Sequence, residues 1–259
     1  MDNNTEHRTC SRILNILELV SIHDEGMSFS EIITELDIPK GSIHPLIQTL
    51  VARKYLKYND KTQKYLLGEA LFILGNKYLS RVNILDHIKE KLTNLTNSTD
   101  ETTYFGVLSG TDVLYLLKSE SNNAIRITAS VANKLPAYST GFGKAILSQF
   151  NLEELKQLYP EGLKAITPYT ITDINVLAEQ SKKTRETGIA YEYQESTLGI
   201  RCIATPIYLD QKVVSGISIA IPIYRYDENK LDLFIRHMLE TRNEIEQILE
   251  LNKSQWYQL

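Results

Sequence analysis

The chain is poor in several things, and each shortage excludes something. Only two of its 259 residues are cysteine, Cys10 and Cys202, far apart and in no C-x-x-C pair, so neither a disulfide framework nor a zinc site is indicated. Both are expected to be reduced thiols. Long apolar runs are also lacking, since charge interrupts every hydrophobic stretch well short of the roughly 18 residues that a membrane-spanning helix needs. The opening MDNNTEHRTC has no apolar core of the signal-peptide kind, so the expectation is a cytoplasmic protein with no membrane partner. Catalytic signatures are missing too. There is no G-x-S-x-G elbow and no H-E-x-x-H pair, and three of the five histidines, His7, His23 and His44, precede residue 50. Neither an enzyme nor a cofactor is expected.

One stretch imitates a nucleotide site. STGFGKAIL, residues 139–147, sets two glycines and a lysine before an apolar helical run. A phosphate-binding P-loop needs a glycine five positions before the G-K pair and a hydroxyl after it to hold Mg²⁺. Here no glycine precedes Gly143 at that distance, and Ala145 stands where the hydroxyl belongs. The loop still starts a helix, so the amides of Gly141, Phe142 and Gly143 are expected at the positive end of a helix dipole, suited to an anion that need not be phosphate.

With 42% hydrophobic and 23% charged residues, the chain has material for one large domain or two ordinary ones. Its net charge of −4 is unevenly spread. Residues 1–39 hold two basic side chains, Arg8 and Arg12, against eight acidic ones. Residues 40–64 hold six, Lys40, Arg53, Lys54, Lys57, Lys61 and Lys64, against Asp60 alone. A cluster of positive charge inside an acidic protein is the footprint expected where phosphates are neutralised.

The same segment reads as a compact motif. Ile13, Leu14, Ile16, Leu17 and Val20 recur with helical period between Thr9 and His23. Ser28 and Glu31 form an S-x-x-E capping box opening a second helix over Ile32, Ile33 and Leu36. SIHPLIQTLVARKYL gives a third helix with Ile43, Leu46, Ile47, Leu50 and Val51 inward. Pro45 lies in its first turn if the helix begins at Gly41 or Ser42, and kinks it if the helix begins at Pro39. YLKY, NDKTQ and KYLLG then make two short strands about a polar turn. Three helices and a basic hairpin constitute a winged helix-turn-helix. The third helix fits a DNA major groove, with Ser42, His44, Gln48 and Thr49 toward bases and Lys40, Arg53, Lys57, Lys61 and Lys64 toward phosphates.

Two helices follow, with stripes of Leu71, Leu74 and Tyr78 and of Ile84, Ile88, Leu92 and Leu95 that suit a linker and a dimer contact. From about Glu101 the pattern alternates. TTYFGVL, TDVLYLLKS and AIRITAS read as strands, as do GIAYEYQES, IRCIATPIYL and VVSGISIAIP. Helices are expected at roughly 141–150, 151–159 and 173–187, and a last amphipathic one from Asp227 to Leu251. This is an α+β arrangement, an antiparallel sheet with helices packed on it. By alternation Cys202 and Ala204 share a face with Ile200, and Gly216, Ser218 and Ala220 share one on the next strand. Such small side chains either accept a close-packed helix or leave a pocket.

Taken together, SRILNILELV, IPKGSIHPLIQTLVARKYL, YLLGEALFILG, LPAYSTGFGKAIL, ITDINVLAEQSKKTRETGIAYEYQES, GIRCIATPIY and GISIAIP resemble the IclR family of bacterial transcriptional regulators, from Ser11 to the final helix. The resemblance implies a winged helix-turn-helix over residues 1–68, linker helices over 69–98 and a GAF-like effector-binding domain over 99–259. It also implies homodimers or dimers of dimers on double-stranded operator DNA, responding to a small-molecule effector. Carried over by position, the effector pocket falls on Gly141, Phe142, Gly143, Glu192, Cys202, Ser218 and Ala220. The family often has a serine where Ala220 stands, and some members have a shorter acid where Glu192 stands. An alternative of another class is a metabolite-sensing interaction protein whose winged helix no longer binds DNA.

Overall fold

The computed structural model describes residues 7–79, 83–121 and 134–257, in two compact units divided between Arg81 and Val82. The first unit contains α1 (Arg8–Ser21), β1 (Met27–Ser28), α2 (Phe29–Leu36), α3 (Lys40–Ala52), β2 (Leu56–Asn59), β3 (Lys64–Leu67) and α4 (Glu69–Leu79). Its core joins Ile16 and Val20 of α1, Ile32 of α2, Ile43, Ile47 and Leu50 of α3, and Leu56. Each such buried aliphatic side chain contributes about 1.5–3 kcal/mol over an exposed one, which is what holds three short helices together. The Ser28 hydroxyl accepts the Glu31 amide at 3.3 Å while the Glu31 carboxylate accepts the Ser28 amide at 2.7 Å, so the capping box read from sequence is formed.

β1, β3 and β2 lie side by side in that order, antiparallel, with Met27 opposite Tyr65 and Leu56 opposite Leu67. The hairpin turn is shaped by Asn59, whose side-chain oxygen accepts the amides of Lys61 and Thr62 at 3.0 and 3.4 Å. β1 was not legible in sequence, because two residues carry no period. Pro39 is the N-cap of α3, so Pro45 is inside the helix and not in its first turn. The amide that the Gly41 carbonyl would have accepted is absent, and both residues are exposed, leaving that carbonyl to water.

The second unit contains α5 (Asn83–Thr99), β4 (Thr102–Ser109), β5 (Asp112–Ser119), β6 (Lys134–Pro136), α6 (Gly141–Leu147), α7 (Leu152–Leu158), α8 (Ile174–Thr187), β7 (Ala190–Tyr193), β8 (Ile200–Leu209), β9 (Lys212–Pro222), α9 (Glu228–Leu251) and α10 (Lys253–Trp256). Six strands form one antiparallel sheet in the order β6-β5-β4-β9-β8-β7. One face carries Phe105, Ile203, Ile207, Ile217, Ile219 and Ile221 against Ile88, Leu92 and Leu95 of α5 and Met238, Ile245 and Leu249 of α9. The other carries Tyr104, Tyr115, Ala204 and Ala220 against Phe142 and Ile146 of α6. The segment expected as a linker thus divides: α4 clusters with the first unit, whereas the apolar stripe of α5 is buried in the core of the second. AIRITAS, read as a strand, lies outside the described residues. β6 and α10, three and four residues long, are too short for periodicity to reveal.

Candidate functional site

In the first unit, Lys40, Ser42, His44, Gln48, Thr49 and Arg53 are all exposed, on the part of α3 left free by Ile43, Ile47 and Leu50. His44 stacks edge-on against Phe29 with ring centroids 5.7 Å apart, and its Nε2 is 3.5 Å from the Gln48 amide nitrogen one turn on. Thr49 donates its hydroxyl hydrogen to the Pro45 carbonyl at 2.8 Å, which leaves the oxygen as an acceptor. Lys57 on β2 and Lys61 in the turn are exposed. Lys64 differs. It is half-buried, pairs in register with Ser28, and lines a cleft with Asp24, Glu25, Glu31 and Glu35. The Ser28 amide and hydroxyl hold the Glu31 carboxyl below its usual range, and Lys64 adds to the effect.

In the second unit the strand register assembles the small residues into rows. Thr102, Ala220, Cys202 and Glu192 lie side by side across β4, β9, β8 and β7, and Tyr104, Ser218, Ala204 and Ala190 form the next row. The beginning of α6 lies on them. A methyl group at Gly141 would meet the Cys202 Cβ at 2.6 Å, and one at Gly143 would meet the Ala137 carbonyl oxygen and the Thr140 hydroxyl at 2.3 Å. Gly141 therefore permits close packing of helix on sheet, and Gly143 close packing of α6 on the turn that precedes it, in place of an open cradle. Phe142 is core: it is 1% exposed and packs edge-on against Tyr115 at 4.8 Å. Replacing Gly143 by alanine should cost about 1–3 kcal/mol of stability, because the clash is with backbone and α6 must shift; thermal unfolding of the purified variant checks this.

Beside these rows is a buried polar knot that sequence reasoning missed. Lys144, 3% exposed, points its ammonium at the Glu195 carboxylate and donates to the Gln180 side-chain oxygen at 2.9 Å. Burial pushes the Lys144 ammonium down from its ordinary value, and Glu195 opposes that shift. Thr170 donates to the Glu195 carbonyl at 2.7 Å, tying in the segment before α8. Glu192, 2% exposed, accepts the amides of Glu195 and Ser196 on one oxygen, Oε1. Its other oxygen, Oε2, has no hydrogen-bond partner. Burial pushes the Glu192 carboxyl up to about 7, against the pull of the Cys202 thiol and the two amides. Burial also pushes the Cys202 thiol well above its ordinary range, so at neutral pH it is no nucleophile. The hints of the knot in sequence were Glu192, carried over by position, and Lys144, following Gly143 as a P-loop lysine does; Glu195 and Gln180 had none.

Chemically, the second unit offers hydroxyl, thiol and carboxyl groups on a sheet face and no metal-binding cluster of His, Cys, Asp or Glu among the described residues. The first offers a polar helix face flanked by lysines. A winged helix joined to a sheet-and-helix unit of this kind is the plan of a DNA-binding regulator. Comparison with known proteins makes the class specific. The family model described as the IclR helix-turn-helix domain matches residues 9–60, and that described as the bacterial transcriptional regulator IclR C-terminal region matches residues 76–247. The chain belongs to the IclR family, and it is a DNA-binding transcriptional regulator rather than an enzyme.

It is 30% identical over 240 residues to the HTH-type transcriptional regulator BhcR of Paracoccus denitrificans, covering 92% of this chain and 86% of that one. It is 28% identical to the HTH-type regulator XynR of Escherichia coli, over 88% of this chain and 91% of that one. Among solved structures, the Thermotoga maritima IclR protein superposes with a TM-score of 0.74 at 27% identity, over 93% of this chain and 98% of that one. No described helix is long and apolar enough to cross a membrane.

Proposed function

We propose that the chain is a ligand-responsive regulator of a catabolic or transport operon, sensing a small metabolite such as an organic acid, sugar acid or aromatic. The observation that carries this is a winged helix whose polar α3 face, Lys57 and Lys61 are exposed, in one chain with a second unit in which a sheet row of small side chains ends on the buried Glu192 carboxyl. Ser42, His44, Gln48 and Thr49 read base edges. Lys40, Arg53, Lys57 and Lys61 hold phosphates, and Lys64, turned toward the acidic cleft, contributes least. In the second unit Glu192, Cys202, Ser218 and Ala220 line the effector site and Gly141–Gly143 pack at its edge.

Two-fold operators are read by dimers, and α4 supplies a suitable contact: Phe72, Ile73 and Leu74 are 74%, 50% and 50% exposed on one helix. The ligand acts by binding one arrangement of two linked reading helices better than another, and its leverage is limited to that difference in affinity. A mobility-shift and footprinting experiment on fragments flanking the protein's own gene tests the proposal. Two protected half-sites about 34 Å apart, or a multiple of that, are expected. No footprint even at low salt speaks for the interaction-protein alternative, and a single unpaired footprint speaks against reading by a dimer. Gln48→Ala should reduce discrimination at one base position by about 1–3 kcal/mol, checked by competition with single-base operator variants.

A further inference from the structure

We infer that the cleft between α8 and β7 is a second binding site, for a small anion with a short apolar body such as a short-chain carboxylate. Gln180, Lys183 and Thr184 of α8 form one wall, Ile189 and Ala190 at the start of β7 the other, and Lys144 of α6 lies at its buried end. None of Glu192, Cys202, Ser218 and Ala220 lines it, so it is separate from the sheet rows assigned to the effector. Its volume is about 200 Å³, below the roughly 300–1,000 Å³ of ordinary ligand pockets, which limits the occupant to a few heavy atoms.

The charge of the lining decides the class of ligand. Two lysines and no acid line this cleft, in a chain whose net charge is −4. An ammonium has three hydrogens to donate, and Lys144, only 3% exposed, gives one to Gln180 and one to Glu195. Glu195 offsets the Lys144 charge, so Lys144 brings a spare donor and Lys183 brings the uncompensated charge. Glu179 stands four residues before Lys183 and Glu186 three after it, spacings at which helical ion pairs form, yet Lys183 is in no ion pair among the described residues. The Thr184 hydroxyl, on a residue 4% exposed, makes no hydrogen bond among them either. One negative group placed between Lys183, Thr184 and Lys144 satisfies all three.

The opposite wall favours a carboxylate over a wholly polar anion. Ile189 and Ala190 are 6% and 2% exposed and present only aliphatic groups. One further methylene against them should tighten binding about fourfold, so propionate should act at correspondingly lower concentration than acetate.

The test is a thermal-shift titration of the full chain with acetate, propionate and inorganic phosphate, against sodium chloride at matched ionic strength. Protection of Lys183 from an amine-acetylating reagent, read by mass spectrometry, locates the bound anion. Propionate should raise the melting temperature where chloride does not, and should slow acetylation of Lys183. Lys183→Ala, a change on an exposed helix face, should weaken the propionate response about tenfold, whereas Lys183→Arg should keep it. The response should survive in Ser218→Ala. Chloride as effective as propionate, phosphate more effective than propionate, or acetylation of Lys183 that propionate leaves unchanged overturns the inference. A propionate response kept in Lys183→Ala and lost in Ser218→Ala places the carboxylate in the sheet rows, so the cleft site fails while the effector reading stands.

Discussion

Lys144→Met is expected to destabilise the second unit by about 3–5 kcal/mol, read as an early unfolding transition in denaturant, because it leaves the Glu195 carboxylate buried without its cation. The physical reason is asymmetric. A paired buried charge has already lost its hydration and recovers that loss only through its partner, so removing one member exposes the whole desolvation penalty of the other. Both side chains are almost completely enclosed, 3% and 4% exposed, so water cannot take over. The double variant Lys144→Met with Glu195→Leu should recover most of the loss, since two apolar groups of similar size need no compensation. A single variant as stable as the parent would mean that the pair contributes nothing and that α6 is held by apolar packing alone.

Replacing Lys57 and Lys61 together by alanine should weaken binding to every DNA sequence alike and lower the slope of log affinity against log salt by about two, one for each phosphate that is no longer neutralised. Base preference should be unchanged, because phosphate contacts set register and carry no sequence information. Adding Lys64→Ala should do little more, given its place beside Glu31 in the acidic cleft. A full further unit of slope from Lys64 would show that its side chain leaves that cleft on DNA.

Much of this was legible because it is local. Ser28 and Glu31 are three residues apart, and a capping box depends on nothing farther away. Alternation placed Cys202 with Ala204 on one face of β8 and Ser218 with Ala220 on one face of β9, since side chains alternate strictly along a strand, and the register then joins the two pairs. What sequence left open was whether those small residues make a pocket or a seat for a helix. At Gly141 the seat is realised, and only the approach of α6 to Cys202 decides that. The Lys144–Glu195 pair was invisible for the opposite reason: its members are 51 residues apart, and the loop that carries Glu195 is positioned by Glu192 accepting its amide. Pro45 was ambiguous because the helix start rests on Pro39 as a cap without side-chain hydrogen bonds, a feature with no strong sequence signature.

Fluorescence anisotropy of labelled fragments from upstream of the protein's own gene, at two salt concentrations and against random competitor DNA, bears most directly on the regulator function. Saturable binding that resists the competitor and weakens steeply with salt is the expected result, and the neighbouring genes would then narrow the effector. Binding by folded protein that is equally strong to random DNA, or absent even at low salt with and without small metabolites, would contradict it.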